Sequence, residues 1–548
     1  MALVGESWLM SFMPCCISRD RDDDDPAPHS GGEGKLRKQS THTFNVMKNK
    51  SGACLLDSYE VETSKVLGTG GFGTVRKGWL KEAKSLIRAI KEVKKSDMKH
   101  DSLVHHEIKV LETLDHPCIC RLLETFEDDK SFYLVLEYID GRELFDEIEE
   151  TISKHLNFEE ARAAGIMRQV FGALSYCHAH NVLHRDLKPE NVMVLRKLDD
   201  TPRESVPPIK VIDFGLAAVM TGKKGIRSNT IVGTMQYLAP EAAKGDFRAV
   251  SDMWSIGVIM HVIMRGNFPS RSAHLPKKIA GLSDEGLDLM QRLLKREPSS
   301  RITAAEAYKH PWTNHTRGQL GDAPASTEDM NCLSSAFVSF RKSSKLKQAA
   351  LAAMATQISG QTVASLLEQF NHVDADGSGF IDKDEFVKAF TDHVPEGVEE
   401  PRAWAEELFD SVDQDGSGEI EFSEFQACML QRLAARSDEA IRTAFRVFDQ
   451  SRTGKITQED IMAVMRLDAK EGAAELMMPF DTDGDGVLDF EEFKAMLLAQ
   501  GTSTPKSSGM PKGLSLDPAE EAPEAEEKAA EPLKAEEKAV EKAVEKAA

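Results

Sequence analysis

The chain has 548 residues, with 68 Lys and Arg against 90 Asp and Glu and a formal net charge of −22, which is length for roughly three domains of about 100–200 residues each. The acid excess excludes a general nucleic-acid binder, which needs clustered Lys and Arg. No apolar run approaches the roughly 20 residues of a membrane-spanning helix, and eight scattered Cys without paired CxxC spacing point to a reducing, cytoplasmic setting.

The charge is unevenly placed. Residues 1–356 carry 47 acids and 49 bases, residues 357–500 carry 32 and 12, and the remainder 11 and 7. The last third is therefore the part that calls for cations or basic segments. Residues 1–18 lean apolar through Trp8, Phe12 and Met13, but Glu6 interrupts them and no basic region precedes them, so a cleavable signal peptide is not expected. Residues 1–58 read as a mobile leader and 59–312 have globular composition. Within 59–312, β-rich pieces such as FYLVLEY (132–138) precede helical ones such as GLDLMQRLLK (286–295), implying a small strand-rich lobe and a larger helical one. Residues 313–356 are expected as a linker, rich in Gly, Pro and Ser to about 332, followed by a basic junction. Residues 357–500 carry four similar Asp/Gly-rich loops, and 501–548 form a low-complexity acidic tail.

The first chemical pattern is the run Gly68-Thr-Gly70-Gly-Phe-Gly73-Thr-Val75, where glycines let backbone N–H groups approach phosphates. Lys91 follows on a predicted strand, and Glu107 lies sixteen residues on in a helical pattern, where it can pair with Lys91. Then come His184-Arg185-Asp186-Leu-Lys188-Pro-Glu190-Asn191, Asp213-Phe214-Gly215 and Ala239-Pro240-Glu241 in order. These motifs, over roughly 59–312, resemble the eukaryotic protein kinases. The resemblance implies an α+β bilobal fold and an ATP site. Lys91 would orient the α- and β-phosphates and Glu107 would hold Lys91. Asp186 would accept the proton of the attacking hydroxyl, and Lys188 beside it marks the serine/threonine class. Asn191 and Asp213 would hold Mg²⁺. Leu67, Gly68, Gly70, Gly73, Val75 and Ala89 would line the nucleotide pocket. Glu137 and Ile139 would bond adenine through their backbone, with Leu136 closing the pocket behind the base.

Glu143 and Glu190 match positions that receive substrate arginines in basophilic kinases, and Glu143 has a second reading as a contact to the ATP ribose. Both carboxylates also read as plain surface acids. Arg185 suggests a segment that answers to phosphorylation through Thr230 or the adjacent Ser228, against the plainer reading of an ordinary loop. One departure stands out. Between Phe268 and Ser283 the chain is shorter than the family pattern, in the region that docks peptides, although Asp252, Trp254 and the Glu241–Arg301 pair remain. That shortening motivates an alternative function, a calcium-sensing pseudokinase scaffold.

The second pattern is the twelve-residue EF-hand loop, whose oxygens at positions 1, 3, 5, 7, 9 and 12 suit calcium, a hard cation taking six to eight oxygen ligands. The first loop offers Asp374, Asp376, Ser378, Phe380 (backbone), Asp382 and Glu385. The second offers Asp413, Asp415, Ser417, Glu419 (backbone), Glu421 and Glu424, and the fourth Asp481, Asp483, Asp485, Val487 (backbone), Asp489 and Glu492. The third, Asp449 to Asp460, ends in Asp, a methylene short of easy bidentate reach, so weak or absent binding is expected there. Position-8 residues Ile381, Ile420, Ile456 and Leu488 should pair the loops two by two.

Between the two patterns, Phe337 to Met354 has four bases, no acid and apolar residues at helical spacing, which suits the groove of a calcium-loaded EF-hand lobe. A membrane-surface helix and a plain packing helix are the other readings. Kinase, basic junction and an all-α calmodulin-like domain of four EF-hands, in this order over 59–498, resemble the calcium-dependent protein kinases. That implies ATP, Mg²⁺ and Ca²⁺ as cofactors, protein substrates with basic residues near the Ser or Thr, and a monomer whose junction blocks the cleft until calcium draws it into the EF-hands. Moving such a balance from 1:99 to 99:1 takes about 5.5 kcal/mol of differential affinity. Many relatives begin Met-Gly for myristoylation, whereas residue 2 here is Ala. Cys15-Cys16 leave acylation and peripheral membrane contact as one reading and two ordinary cysteines as the other.

Overall fold

The computed structural model describes residues 47–48, 54–70, 73–97, 102–154, 158–195, 206–220, 225–227, 232–270, 278–313, 327–357, 361–394, 398–433, 438–465 and 470–499. Cys15 and Cys16, Ser228 and Thr230, residues 271–277 of the shortened connection and the tail from 500 onward lie outside the described residues.

Strands β1 (Met47–Lys48), β2 (Tyr59–Gly70), β3 (Gly73–Leu80), β4 (Ala83–Lys94), β5 (Leu122–Glu127) and β6 (Ser131–Glu137) form one sheet of order β1-β5-β6-β4-β3-β2, antiparallel except for the β1–β5 pair. The two-residue period of a strand divides β4 between two faces. Ala89, Lys91 and Val93 share one face; Arg88 and Ile90 share the other, and Arg88 is 1% exposed despite its charge. The stretch expected as a leader through residue 58 is ordered at its end. Leu55–Ser58 makes a helical turn because Leu55 is buried in an apolar cluster with Tyr59 and Leu80, which outweighs the chain entropy of ordering it.

Helix α1 (Ser102–Glu112) packs against β5, and the larger lobe follows with α2 (Leu144–Ser153), α3 (Glu160–Ala179), α4 (Ala249–Arg265), α5 (Asp284–Leu293) and α6 (Ala304–Tyr308). Helices α3 and α4 are apolar on nearly every side and form the lobe's centre, as expected for helices without a solvent face. Stop signals are local. Ser283 caps α5 by accepting the Gly286 N–H at 3.1 Å, and Thr303 with Glu306 forms a capping box on α6. Short strands β7 (Arg142–Glu143), β8 (Val182–Leu183), β9 (Val192–Val194), β10 (Ile209–Val211) and β11 (Ala218–Val219) pair as β10-β9-β7 and β11-β8, fixing the segments that carry Asp186 and Asp213.

The remainder is helical: α7 (Thr327–Arg341), α8 (Lys345–Gln357), α9 (Gln361–Val373), α10 (Lys383–Phe390), α11 (Pro401–Val412), α12 (Phe422–Leu433), α13 (Asp438–Phe448), α14 (Gln458–Met465), α15 (Lys470–Met477) and α16 (Phe490–Leu498). Two expectations are corrected here. The linker does not extend to 332, because α7 starts at Thr327 and buries Met330, Leu333, Ala336 and Phe337 at helical spacing. Nor is the junction one amphipathic helix. It breaks at residues 342–344, where Ser344 Oγ accepts the Lys347 N–H at 3.2 Å, and α8 is buried from Leu346 to Gln357 with no solvent face. Helix α7 packs on α11 and α12, and α8 lies against α12, α13, α15 and α16. Phe337 meets Phe386, Phe390 and Phe425 edge-on at 5.3, 5.3 and 5.8 Å between ring centres. At about 1.5–3 kcal/mol for each fully buried large apolar side chain, Phe337, Phe340, Leu346, Leu351 and Met354 together bury more than enough apolar surface to supply the differential a junction switch needs.

Candidate active site and calcium loops

The glycine run spans the β2–β3 turn, with Gly68 opposite Val75 and Gly70 opposite Gly73. Gly73 is required: its φ is +152°, and a Cβ there would lie 2.3 Å from the Glu92 carbonyl oxygen. Leu67, at the end of β2, is 40% exposed and free to cover a base. On β4, Ala89 lies opposite Leu136 and Lys91 opposite both Val75 and Leu134. Lys91 Nζ donates to Glu107 Oε1 at 2.7 Å and to Asp213 Oδ1 at 3.2 Å. Burial alone would drive Lys91 toward neutrality, but the Glu107 and Asp213 carboxylates outweigh it and hold the ammonium above the ordinary lysine value. Asp213 is the reciprocal case: burial opposes its charge, and Lys91 keeps its carboxyl below the usual range.

Asp186 is positioned on both oxygens. Its Oδ1 accepts the Thr234 N–H and hydroxyl, each at 2.8 Å, and Oδ2 stands 3.1 Å from Lys188 Nζ. Burial works against the Lys188 charge, and Asp186 more than compensates. Asn191 Nδ2 donates to the Asp186 carbonyl at 2.8 Å, and the Asn191 backbone carbonyl accepts the Ile212 N–H at 2.9 Å, next to Asp213. In the hinge, the Glu137 side chain is buried between Lys210 Nζ, at 2.6 Å, and the Arg121 N–H, at 2.8 Å, while Ile139 is half-buried. Glu143 and Glu190 are close enough to repel. Burial, then Asp146 and Glu190, push the Glu143 carboxyl up, and burial also raises Glu190. Glu190 Oε2 is buried without a hydrogen-bond partner among the described residues. A buried acceptor of this kind is costly unless something partners it.

The four EF-hand loops share one backbone. In each, the position-1 carboxylate accepts the position-6 glycine N–H: Asp374 from Gly379, Asp413 from Gly418, Asp449 from Gly454 and Asp481 from Gly486, at 2.8–3.0 Å. Ile381 pairs with Ile420 in a two-residue antiparallel ladder, and Ile456 exchanges hydrogen bonds with Leu488 at 2.8 and 2.9 Å, coupling the loops two by two as expected. Asp382 and Asp489 also cap the exit helices, in capping boxes with Glu385 and Glu492, so ligand and helix-start roles coincide. Three groups of carboxylates lie close enough to share an ion: Asp374, Asp376 and Glu385; Asp413, Asp415 and Glu424; and Asp481, Asp483 and Asp485. Ser378 and Ser417 hydroxyls donate to the Phe380 and Glu419 carbonyls at 3.0 and 2.8 Å, which gathers positions 5 and 7 around each centre. In the second loop Glu421, at position 9, is buried beside Glu424, whose oxygens accept the Gln414 and Glu421 N–H groups. In the fourth, Asp485 accepts the Val487 N–H at 3.0 Å. Burial and then Glu385 push Asp374 up to about 7, and burial raises Glu424 well above the usual range. Lysines reach the outer oxygens, Lys455 at Asp485 and Lys309 at Asp376, and the hard-donor chemistry of the crowded carboxylates fits Ca²⁺. Among the described residues the third loop forms no such group.

Residues 61–313 match the protein kinase domain family, and residues 364–430 and 438–498 match the EF-hand domain pair. The chain is similar to calcium-dependent protein kinase 5 of Plasmodium falciparum, 32% identical over 482 residues that cover 84% of this chain and 81% of the relative. It is also similar to calcium-dependent protein kinase 3 of Plasmodium berghei, 34% identical over 81% of this chain and 80% of the relative, and to its counterpart in Plasmodium yoelii yoelii, at 35% over 75% of each. The chain belongs to the calcium-dependent protein kinases. It is a calcium-activated serine/threonine protein kinase, and the paired catalytic residues give the scaffold alternative no support. Among the described residues no helix is long and apolar enough to cross a membrane.

For a calcium-dependent kinase, the place where the calcium module meets the catalytic part matters most, and no local sequence pattern marks it. Arg88 Nη2 donates to the Gln357 carbonyl at 3.0 Å; Arg121 Nη1 donates to the Ala355 and Thr356 carbonyls at 3.1 and 3.4 Å. Two kinase arginines thus cap the C-terminal, negative end of α8, directly behind the hinge. Asp115, held by Arg121 at 2.8 Å, accepts the Ser423 N–H at 3.0 Å and so caps the positive end of α12. The first calcium loop also sits on the kinase: Gly377 abuts Tyr308, Gly379 abuts His116, and Lys309 lies 3.6 Å from Asp376. Asp252, in the first turn of α4, braces the catalytic loop from outside it. Its carboxylate accepts the His184 and Arg185 N–H groups at 3.1 and 3.0 Å, stabilising Arg185 at φ +66°. Arg185 itself donates to the Leu216 and Ala217 carbonyls at 2.6 and 3.3 Å.

Proposed function

We propose that this kinase transfers the ATP γ-phosphate to Ser or Thr hydroxyls of proteins carrying arginine near the target, using Asp186 as the acceptor of the hydroxyl proton. The observation that carries the reading is the double anchoring of the Asp186 carboxylate by Thr234 and Lys188, which orients it beside Asn191. Lys91, kept charged by Glu107, binds the nucleotide phosphates, and the hinge backbone at Glu137 and Ile139 holds the base. Asn191 and Asp213 are the oxygen donors that would hold Mg²⁺, which when bound neutralises charge on the transferring group. Thr234 and Lys188 keep the acceptor carboxylate from turning away as the hydroxyl approaches. The unpaired Glu190 oxygen and its neighbour Glu143 support capture of a substrate guanidinium, for which a paired carboxylate site is the natural receptor.

Regulation follows from α7 and α8. Helix α8 is enclosed by the EF-hand helices and α7 buries one face against them, and the three acidic loops hold calcium that favours this arrangement. At low calcium the same basic segment blocks the substrate cleft. The cysteine usage supports a cytoplasmic setting. The test is phosphate transfer to an arginine-containing peptide, titrated with calcium, beside an Asp186→Asn variant. Calcium-stimulated transfer that disappears in the variant is expected; transfer indifferent to either would sink the reading.

A further inference from the structure

The third EF-hand differs from its sisters at loop position 4 as well as at position 12. Loops one, two and four carry Gly377, Gly416 and Gly484 there, at φ +69°, +68° and +72°; loop three carries Arg452 at φ +55°. A side chain in that left-handed backbone is disfavoured by contact between Cβ and the carbonyl, so something else must retain it. The Arg452 guanidinium supplies the reason. Its Nη2 lies 3.5 Å from Glu124 Oε1, its Nη1 donates to Ser58 Oγ at 3.4 Å, and it stands 5.9 Å from the centre of the Phe126 ring. Arg446, on the helix leading into the same loop, donates to both oxygens of Glu124 at 2.9 and 3.2 Å and stands 5.3 Å over Tyr59. Glu124, on β5, is 1% exposed and also accepts the Tyr59 hydroxyl at 2.8 Å. The loop interior is meanwhile closed by its own groups: Ser451 and Thr457 hydroxyls donate to Asp460 Oδ2 at 3.0 and 2.8 Å, and Ser451 also reaches Asp449 at 3.3 Å.

We propose that the third EF-hand is a calcium-independent latch, in which Arg446 and Arg452 grip Glu124 and hold the calcium-loaded module on the small lobe of the kinase. This goes one step beyond the calcium-activation reading and rests on it. Calcium at the other three loops decides whether the module reaches its seat. The latch adds to the stability of the seated arrangement without adding a calcium. The arginines match a two-oxygen acceptor, and the contact is sheltered enough for charge-assisted bonds to count.

The test uses the full chain. Arg446→Gln is expected to raise the calcium concentration for half-activation about threefold, Glu124→Gln somewhat more because it also loses Arg452, and the double variant no further than Glu124→Gln, because the Arg446 contact is already gone there. Arg452→Gly gives the loop the residue its sisters carry, so it folds, and it should raise the midpoint by a smaller factor. Calorimetry should count three calcium ions in the wild type and in every variant, Asp460→Asn included. Unchanged midpoints, additive effects of Arg446→Gln and Glu124→Gln, or a fourth calcium lost in Asp460→Asn would each overturn the latch. Hydrogen exchange in Leu122–Glu127 at saturating calcium gives a readout independent of catalysis. Faster exchange in Arg446→Gln supports the latch and unchanged exchange refutes it, even if the wild type proved indifferent to calcium and the parent reading fell.

Discussion

Replacing Arg121 with Met should make activation need more calcium, by an amount that follows from its contacts. The guanidinium is 13% exposed and serves two masters: Asp115 within the kinase, and the Ala355 and Thr356 carbonyls at the end of α8. The Asp115 pair exists whether or not the module is seated, so its loss largely cancels from the seating equilibrium. The carbonyl contacts exist only in the seated form. A hydrogen bond from a charged donor contributes about 1.5–3 kcal/mol, and a cation at a helix C-terminus adds about 0.3–1 kcal/mol. A net loss of about 2–3 kcal/mol changes the seating equilibrium by roughly 30- to 150-fold. Shared among three calcium ions that bind together, it moves the midpoint by the cube root of that, about three- to fivefold. The assay is transfer to an arginine peptide across a series of calcium buffers. Arg121→Lys, which keeps the charge but not the fork, should fall between variant and wild type. A midpoint that does not move in Arg121→Met would refute the assignment of this contact to the activated state.

Two further outcomes follow from the same geometry. Glu190→Gln should raise KM for a peptide with an upstream arginine by about tenfold, as expected for loss of one charge-assisted pair, while leaving an arginine-free peptide unaffected; equal effects on both would remove the acidic pair from substrate recognition. Truncation after Thr313 should release transfer from calcium control, at a level below the calcium-saturated full chain, since Arg88, Arg121 and Glu124 lose the partners that cover them. A truncated kinase still dependent on calcium would contradict a junction-borne block.

The kinase motif residues were legible because phosphoryl transfer demands particular residue types at set spacings, and the structure brings Lys91 to Glu107 and Asp213, and Asn191 to Asp186. The calcium loops were legible for the same reason, down to the Ile381–Ile420 and Ile456–Leu488 pairs. What escaped was decided by tertiary partners with no local signature. Arg88 looks like any strand arginine until Gln357 arrives from 269 positions away. The junction looked amphipathic because its four bases dominate the pattern, yet Lys347 is buried, with its ammonium donating to the Ala499 carbonyl. Local periodicity cannot reveal that a charged side chain will cap another helix.

The first calcium loop offers a controlled comparison of seating against loop chemistry. Gly377 and Gly484 occupy the same loop position, at φ +69° and +72°, and each donates its N–H to the position-1 aspartate at 2.7 Å. Alanine at either therefore carries the same backbone penalty, about 1 kcal/mol. They differ in what lies outside. A Cβ at Gly484 meets nothing within 4 Å, whereas one at Gly377 falls 2.0 Å from the Tyr308 ring at the end of α6. That ring cannot swing freely, because Arg168 donates to its hydroxyl at 2.7 Å and stacks 4.5 Å from its centre. Forcing a methyl into such a contact costs about 1–3 kcal/mol, all of it in the seated form. Gly377→Ala should consequently raise the activation midpoint about two- to fivefold more than Gly484→Ala, again taking three calcium ions as sharing the change. Adding Tyr308→Ala to Gly377→Ala should recover most of that excess. Equal midpoints for the two glycine variants would mean that the first loop does not rest on α6 when the kinase is active, and the docked arrangement would then not be the calcium-activated one.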